Sequence, residues 1–199
     1  MSEKPPITLE RREKIRRVLS LRRKDLTLVL ANIHDPHNVS AIYRSCDAFG
    51  VAKVCLYYTD TPFPRLGEKS SASARKWVET ERFSALSSLV AALRAQNMQI
   101  LATACSAQAK SFDSYDLVRP TAIILGNEHS GVEPELAKVA DGEIYIPMRG
   151  MIQSLNVSVA AAVLLAEAAR QRSAAGKYDV PTYDGEELAR KQALWEDMR

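Results

Sequence analysis

Short runs of apolar residues alternate along this chain with stretches that are apolar on one helical face only. The runs are rich in Val, Ile and Leu, which is typical of strands buried in a sheet. Strands are predicted at residues 27–33, 53–58, 98–105, 121–126 and 143–148, and helices at residues 38–49, 84–96, 134–140 and 156–172. This alternation predicts an α/β fold with a mostly parallel sheet flanked by helices.

The two ends of the chain carry a different pattern. Residues 8–24 have a narrow apolar stripe on an otherwise basic helix, with Thr8 as the candidate N-cap. The tail from Ser173 is polar, and its few aromatic residues are candidate packing anchors. The chain therefore divides into a basic N-terminal helical extension at 1–25, a central domain at 26–172 and a C-terminal extension at 173–199, which is also expected to be helical. Residues 59–76 predict a long loop.

The charged residues are distributed unevenly. The 199 residues include 27 basic and 24 acidic side chains, so the formal net charge is only +3. Residues 1–24 hold nine basic and three acidic side chains, a charge of +6, and the remainder carries −3. The basic helix is either a solvated helix held by its apolar stripe or a binding surface for a polyanion. Composition leaves both interpretations open.

Cysteine content and hydropathy indicate the compartment. Cys46, Cys55 and Cys105 are odd in number and widely spaced, which predicts buried free thiols in a reducing cytosol. No stretch reaches the roughly 18 consecutive apolar residues of a membrane span. The charged N-terminus lacks the apolar core of a secretory signal. We expect a cytoplasmic protein with no membrane partner, and no metal site, because His34 and His37 lack a third ligand.

The first candidate site segment follows the strand at 27–33. Pro36 forces a turn there, and Asn38 is expected to cap the helix that follows. Arg44 lies six residues later among apolar neighbours, so it needs either a structural ion pair or a substrate. Ligands bind at the carboxyl ends of the strands in open α/β sheets. This segment is therefore a candidate for binding or catalysis.

Two further polar segments follow strands in the same way. In residues 125–132, Gly126 permits close backbone approach and Glu128 is the acid of the turn. Residues 146–158 hold more polar side chains than one helix cap needs, Ser154 and Asn156 among them. Neither GxGxxG nor GxxxxGK[ST] occurs in the chain, which excludes the dinucleotide fingerprint and the P-loop.

Together the three segments resemble the signature motifs of the TrmH (SpoU) family in the SPOUT superfamily. The motifs read NIHDPHNVSAIYRSCDAFGV, ILGNEHSGV and IPMRGMIQSLNVSVAAAVLLAE, in the family's order and spacing. The resemblance implies an S-adenosylmethionine-dependent RNA ribose 2′-O-methyltransferase. It also implies a deep trefoil knot at roughly residues 121–162, one of the rare exceptions to unknotted topology. Family members are homodimers, with the first-motif and third-motif helices as the expected interface.

The resemblance also assigns residues to roles. The cofactor is expected, largely on main-chain groups, against Thr103, Gly126, Ile146, Met148 and Leu155. The catalytic residues expected are Arg44, Asn38, Glu128, Ser154 and Asn156. Arg44 would bind the phosphate beside the target ribose and favour ionisation of the 2′-hydroxyl, and a phosphate or water would take the proton. The RNA-binding residues expected are Arg11, Arg12, Arg16, Arg17 and Lys76.

The extensions guide the choice of RNA. Relatives that act on ribosomal RNA usually add a sizeable N-terminal domain, whereas a short basic helix and tail fit the enzymes that modify guanosine 18 in the D-loop of tRNA. Action on ribosomal RNA or another tRNA position is the first alternative, and a catalytically inactive RNA-binding module is the second. Two departures affect RNA contacts. The 69–78 loop lacks a common glycine, and Arg149 replaces a residue that is often neutral.

Overall fold

A computed structural model describes residues 7–64 and 74–198 of the chain. Within these ranges, seven parallel strands form one sheet in the order β3-β2-β1-β6-β4-β7-β5. The strands are β1 (Arg23–Ala31), β2 (Val51–Tyr57), β3 (Glu79–Phe83), β4 (Gln99–Thr103), β5 (Lys110–Ser111), β6 (Thr121–Leu125) and β7 (Gly142–Tyr145). The helices are α1 (Leu9–Leu21), α2 (Pro36–Ala48), α3 (Ala74–Trp77), α4 (Leu86–Ala95), α5 (Pro134–Val139), α6 (Val157–Ala174) and α7 (Gly185–Asp197). The predicted α/β fold with a parallel sheet is confirmed.

Helices cover both faces of the sheet. Helices α2 and α6 pack together on one face, where side chains such as Ile42 and Leu164 are fully buried. Helices α4 and α5 cover the other face through Leu89, Leu93 and Leu136. This three-layer arrangement is the usual way to bury a parallel sheet whose strands are apolar on both sides. No helix in the described ranges is long and apolar enough to cross a membrane.

The terminal helices form a separate small cluster. Helix α1 begins at Thr8, whose hydroxyl accepts a hydrogen bond from the Arg11 backbone N–H, so the predicted cap is confirmed. Its stripe packs against α7, where Trp195 is buried and its ring lies 4.9 Å from that of Trp77. The helical extensions predicted at both ends are therefore present, and they pack on each other.

The two ends of the strands differ in chemistry. At the amino edge, defined by the first residues of β1, β4, β6 and β7, Arg172 of α6 is fully buried. Its guanidinium donates to the Asp25 carboxylate at 2.7 Å and to the carbonyls of Leu117 and Arg119 at 2.9 and 3.0 Å. These bonds join α6 to the start of β1 and to the segment that precedes β6. The carboxyl edge, where the strands end, carries the three polar segments.

Some local expectations are wrong. Strand β3 was not predicted because its sequence, ETERF, is polar and its residues are mostly exposed. Strand β5 was not predicted because it is only two residues long. Strand β7 ends at Tyr145, three residues before the predicted end. Cys46 and Cys55 are buried as expected, and burial raises the pKa of the Cys55 thiol to about 11. Cys105 is exposed, because it lies beyond the end of β4.

Candidate active site

The first turn of α2 determines where the site begins. Asp35, not Asn38, caps this helix, and its carboxylate accepts a hydrogen bond from the His37 backbone N–H at 2.8 Å. Pro36 occupies the first helical position, where a missing N–H costs nothing. The predicted cap at Asn38 is therefore wrong. Because Asn38 lies inside the first turn, its amide is free to contact other segments.

A hydrogen-bond network centred on Asn38 joins the three motifs. The Asn38 amide N–H donates to the Glu128 carboxylate at 2.7 Å, and the amide N–H of Asn156 donates to the Asn38 amide oxygen at 3.0 Å. The second Glu128 oxygen accepts the His34 backbone N–H at 3.4 Å. Residues separated by 90 to 118 positions along the chain thus meet at the carboxyl edge.

Asn156 has two functions at the start of α6. As the N-cap, its side-chain oxygen accepts hydrogen bonds from the Ser158 backbone N–H at 2.9 Å and the Ser158 hydroxyl at 2.6 Å. Its amide N–H is the group that reaches Asn38. Ser154, predicted to share the polar pocket, is exposed and forms no hydrogen bond within the described ranges. The structure therefore brings Asn38, Glu128 and Asn156 together but leaves Ser154 outside their network.

The turn after β6 presents Glu128 to this network. Asn127 and Gly131 exchange backbone hydrogen bonds at 3.1 and 3.0 Å, and Gly131 has a φ of +69°. A Cβ on Gly126 would lie 1.9 Å from the carbonyl carbon of Gly131, so no other residue fits there. This explains in physical terms why the polar turn begins with glycine.

Arg44 points away from the core. Its side chain is exposed, and among residues 7–64 and 74–198 it forms neither a hydrogen bond nor an ion pair. A structural ion pair, the first interpretation of Arg44, is therefore excluded within those ranges. An exposed guanidinium with no partner among the described residues is available to a phosphate or carboxylate ligand.

The basic N-terminal segment divides into two groups. Arg11, Arg16 and Arg17 are exposed on α1, while Arg12 forms an ion pair with Glu196 of α7 at 3.3 Å. Arg22 and Arg23 are buried; Arg22 pairs with Asp47, and Arg23 with Asp25. Only part of the +6 charge is therefore free to face a polyanion. Lys76 is exposed in α3, whereas Lys4 and Lys69 lie outside the described residues.

The residues expected to hold the cofactor surround the ends of β4, β6 and β7. Gly126 is buried, and the Thr103 hydroxyl donates to the Ile124 carbonyl at 3.0 Å. Ile146, Met148 and Leu155 are half-buried. Across residues 147–155, no backbone N–H or C=O forms a hydrogen bond with another described residue. Pro147, Met148 and Leu155 are partly buried. Partly buried backbone groups need partners, so these positions suit a ligand held by main-chain groups. No group of three metal-ligating side chains occurs in the described ranges.

Two residues at this edge were missed as site residues. Asn32 is fully buried in the left-handed region, with a φ of +47°, and its amide donates to the Thr59 hydroxyl at 3.0 Å and to Glu133. Tyr58 donates its hydroxyl to the Ile33 carbonyl at 2.8 Å, and burial together with nearby Glu128 raises its pKa. Asparagine tolerates the left-handed region. Asn32 in the first motif is therefore a residue type that favours this backbone conformation.

The fold and the site together indicate the class of protein to which this chain belongs. A parallel α/β sheet with polar loops from three segments at its carboxyl edge is a ligand-binding domain of the open α/β type. Residues 25–166 match the SpoU rRNA Methylase family, and the chain belongs to that family.

Sequence and structural similarity to related proteins extends along nearly the whole chain. A tRNA (guanosine(18)-2′-O)-methyltransferase of Thermus thermophilus is 44% identical over 94% of this chain and 96% of that protein. The crystal structure of the A. aeolicus TrmH/SpoU tRNA modifying enzyme superposes with a TM-score of 0.87, at 37% identity over 94% of this chain and 95% of that one. An AdoMet-bound rRNA methyltransferase from Sinorhizobium meliloti has a TM-score of 0.66, at 26% identity over 85% of this chain and 61% of that one.

Proposed function

We propose that this protein transfers the methyl group of S-adenosylmethionine to the ribose 2′-oxygen of guanosine 18 in the D-loop of tRNA. The observation that carries the proposal is the Glu128–Asn38–Asn156 network. Its central residue, Asn38, lies on the same helix as Arg44, which forms no ion pair with any described residue. The likeness to the T. thermophilus tRNA enzyme extends beyond residues 25–166 into the terminal helices, because it covers 94% of this chain. That breadth supports tRNA over ribosomal RNA.

S-adenosylmethionine is the cofactor that the free backbone groups of residues 147–155 suit. We place it against Thr103, Gly126, Ile146, Met148 and Leu155. When bound, it supplies a sulfonium methyl group that is electrophilic without further activation. The chain's own residues therefore have to bind the ribose, align its 2′-oxygen and favour loss of the hydroxyl proton.

Arg44 is the residue we assign to the substrate. A guanidinium stays protonated at neutral pH, so Arg44 acts by binding the phosphate beside the target ribose and stabilising negative charge that develops on the 2′-oxygen. The proton leaves to that phosphate or to water. Asn38 orients the ribose, while Glu128 and Asn156 hold the Asn38 amide in one orientation. Ser154, exposed in the 147–155 segment, supplies a further hydroxyl to the bound substrate.

A homodimer is part of the same proposal. Large apolar side chains are exposed beside the α2–α6 pair: Met151 is fully exposed, Ile152 is 61% exposed and Val159 is 46% exposed. Exposed large apolar side chains that lie near one another in the chain support an interface at this position. We expect Val159→Glu to convert a dimer into monomers in analytical ultracentrifugation, with the helical circular dichroism unchanged. A wild-type chain that sediments as a monomer would contradict the proposal.

The trefoil knot at roughly residues 121–162 is also proposed. In the sheet, β4 lies between β6 and β7. Helix α6 follows β7 in the chain but packs on α2. Residues 146–156, which connect β7 to α6, therefore cross the carboxyl edge of the sheet again, beside the 126–132 turn. Such a crossing supports threading. Pulling the chain from both ends in optical tweezers should leave it shorter than its contour length, because a knot tightens but cannot open. An extension equal to the contour length would exclude the knot.

The remaining expectations follow from the RNA substrate. We propose that five basic residues contact tRNA phosphates: Arg11, Arg12, Arg16, Arg17 and Lys76. Residues 1–25 form a tRNA-binding extension, residues 26–172 the catalytic domain and residues 173–199 a C-terminal extension. The protein acts in the cytoplasm. All five side chains carry charge on exposed residues, which supports a phosphate-binding role.

One assay tests the central proposal. The protein is incubated with radiolabelled S-adenosylmethionine and either bulk tRNA or ribosomal RNA, and the methylated nucleotide is mapped. We expect label only in tRNA, on the 2′-oxygen of guanosine 18. Label in ribosomal RNA alone would support the first alternative, and label in neither RNA would support an RNA-binding module without catalysis.

A further inference from the structure

A cavity of about 310 Å³ opens beside the Asn38 network, and none of the roles above uses it. Its walls come from two segments at the carboxyl edge, residues 33–36 after β1 and residues 58–64 after β2. Ligand cavities in proteins start at about 300 Å³. A cavity at this lower limit suits one small planar group rather than an extended ligand.

The cavity has an aromatic wall. The ring of Phe63 lies 5.5 Å from the ring of Tyr58, at an interplanar angle of 48°, and Phe63 is half-buried against the core. The hydrogen bond from Tyr58 to the Ile33 carbonyl fixes one ring. Proline residues on both segments further restrict the backbone. The wall is therefore formed before any ligand arrives, which limits the entropy lost on binding.

Two polar side chains line the cavity, and a cation lies beside its aromatic wall. The imidazole of His34 and the hydroxyl of Thr61 form no hydrogen bond with any described residue. The guanidinium of Arg82 lies 5.6 Å from the Phe63 ring centroid and forms no ion pair within the described ranges. Apolar faces for stacking, two hydrogen-bonding side chains and one cation are the groups that recognise a nucleotide.

The cavity is also joined to the proposed catalytic network. His34, which lines the cavity, donates its backbone N–H to Glu128, the acceptor of the Asn38 amide. A base in the cavity would therefore place its own ribose near Asn38. RNA enzymes that act on one nucleotide commonly take its base out of the stack and into a pocket.

We propose that this cavity receives the guanine of the target nucleotide, with Phe63 as the stacking surface. His34 and Thr61 contact the edge of the base, and Arg82 binds an adjoining phosphate. The inference rests on the proposed function and adds to it the residues that select the base.

The experiment compares two half-buried phenylalanines that pack against the same core, Phe63 in the cavity and Phe112 outside it. Stacking on an aromatic side chain contributes about a 5- to 150-fold effect per base. We expect Phe63→Ala to lower kcat/KM for tRNA by a factor in that range, Phe63→Tyr to restore most of it, and both to bind S-adenosylmethionine within about twofold of wild type. Thermal unfolding of Phe63→Ala and Phe112→Ala controls for stability.

A second variant tests the cation separately. Arg82→Gln should raise KM for tRNA without changing kcat, and should reduce the slope of log affinity against log salt by about one, as expected for a single phosphate contact. Arg82→Lys should keep that slope.

The outcomes separate the two levels of the proposal. If wild-type protein methylates tRNA but Phe63→Ala loses no more activity than Phe112→Ala, the cavity does not hold the base. The same conclusion follows if S-adenosylmethionine binding falls in parallel, because the cavity would then hold the cofactor. Wild-type protein that transfers no methyl group to any RNA would overturn the proposed function itself.

Discussion

The two ends of the sheet use arginine in opposite ways. At the amino edge, Arg172 is fully buried and its guanidinium donates to Asp25 and to the carbonyls of Asp25, Leu117 and Arg119. At the carboxyl edge, Arg44 is exposed and forms no hydrogen bond or ion pair with the described part of the chain. A buried charge is tolerable only when it is paired and hydrogen-bonded. An exposed charge is solvated by water and needs no partner before a ligand binds.

The carboxylates at the two edges differ in the same way. Burial raises the pKa of Asp25, but the guanidiniums of Arg172 and Arg23 outweigh it, so the net pKa lies below the usual value. Among the described residues, the donors to Glu128 are uncharged: the Asn38 amide and the His34 backbone. The amino edge therefore contains its own counter-charges, and the carboxyl edge leaves room for those of a substrate. The buried ion pairs and the proposed site therefore lie at opposite ends of the strands.

The largest expected effect is at the amino edge. Arg172→Met should lower the free energy of unfolding by about 3–5 kcal/mol, because it leaves three carbonyls without this donor and leaves the partly buried Asp25 carboxylate with Arg23 alone as its ion-pair partner among the described residues. Arg170→Met is the matched control on the same helix, since Arg170 is exposed and its one ion pair within the described ranges is with Glu167. Urea unfolding measures both. Equal midpoints for the two variants would show that Arg172 is not a structural residue.

The next effect belongs to Arg44. Arg44→Lys keeps the charge but loses the planar fork, so we expect kcat to fall by about 10²–10³-fold, the cost of removing one charge-stabilising donor. Its unfolding midpoint should match that of wild type because the side chain is exposed. Methyl transfer to tRNA and urea unfolding are measured on one preparation. Near-full turnover would exclude a role for guanidinium geometry.

A smaller effect depends on pH. Because the pKa of Asp25 is lowered in the folded protein, its contribution to stability is complete above about pH 4, the pKa of an unfolded aspartate, and is lost as pH falls towards the folded value. Asp25→Asn should cost about 2 kcal/mol at neutral pH and flatten the decline below pH 4. Asp113→Asn, at an exposed position, should follow the wild-type profile. A profile for Asp25→Asn as steep as that of wild type would contradict this account.

The smallest effect concerns the exposed face of α1. Replacing Arg11, Arg16 and Arg17 by Gln should reduce the salt slope of tRNA binding by about 2–3, at roughly 0.7–0.9 per phosphate contact. Arg12 is left in place because it pairs with Glu196. Affinity for S-adenosylmethionine should not change. Filter binding across salt concentrations measures the slope, and an unchanged slope would favour a solvated helix with no RNA contact.

Prediction from sequence succeeded where one physical signal dominates. The apolar strands β1 and β6 were predicted because burial on both faces leaves a continuous run of Val, Ile and Leu. Strand β3 was not, because an exposed strand needs no such run. The cap of α2 was assigned to Asn38 instead of Asp35 because both residue types cap helices equally well. Asp35 is the cap, and the side chain of Asn38 instead donates a hydrogen bond to Glu128, whose position only the tertiary structure gives.

The sequence by itself determined the order of strands and helices, the three polar segments and the excess of charge at one end. Periodicity and composition encode these features locally. Only the tertiary structure decided which arginines are structural. Arg22 and Arg23 belong to the basic segment in the sequence, and Arg172 to the end of a predicted helix, yet all three are buried with partners. The tertiary structure also brought Asn38, Glu128 and Asn156 together. Contacts across about a hundred residues depend on how the sheet is ordered, and no local pattern carries that information.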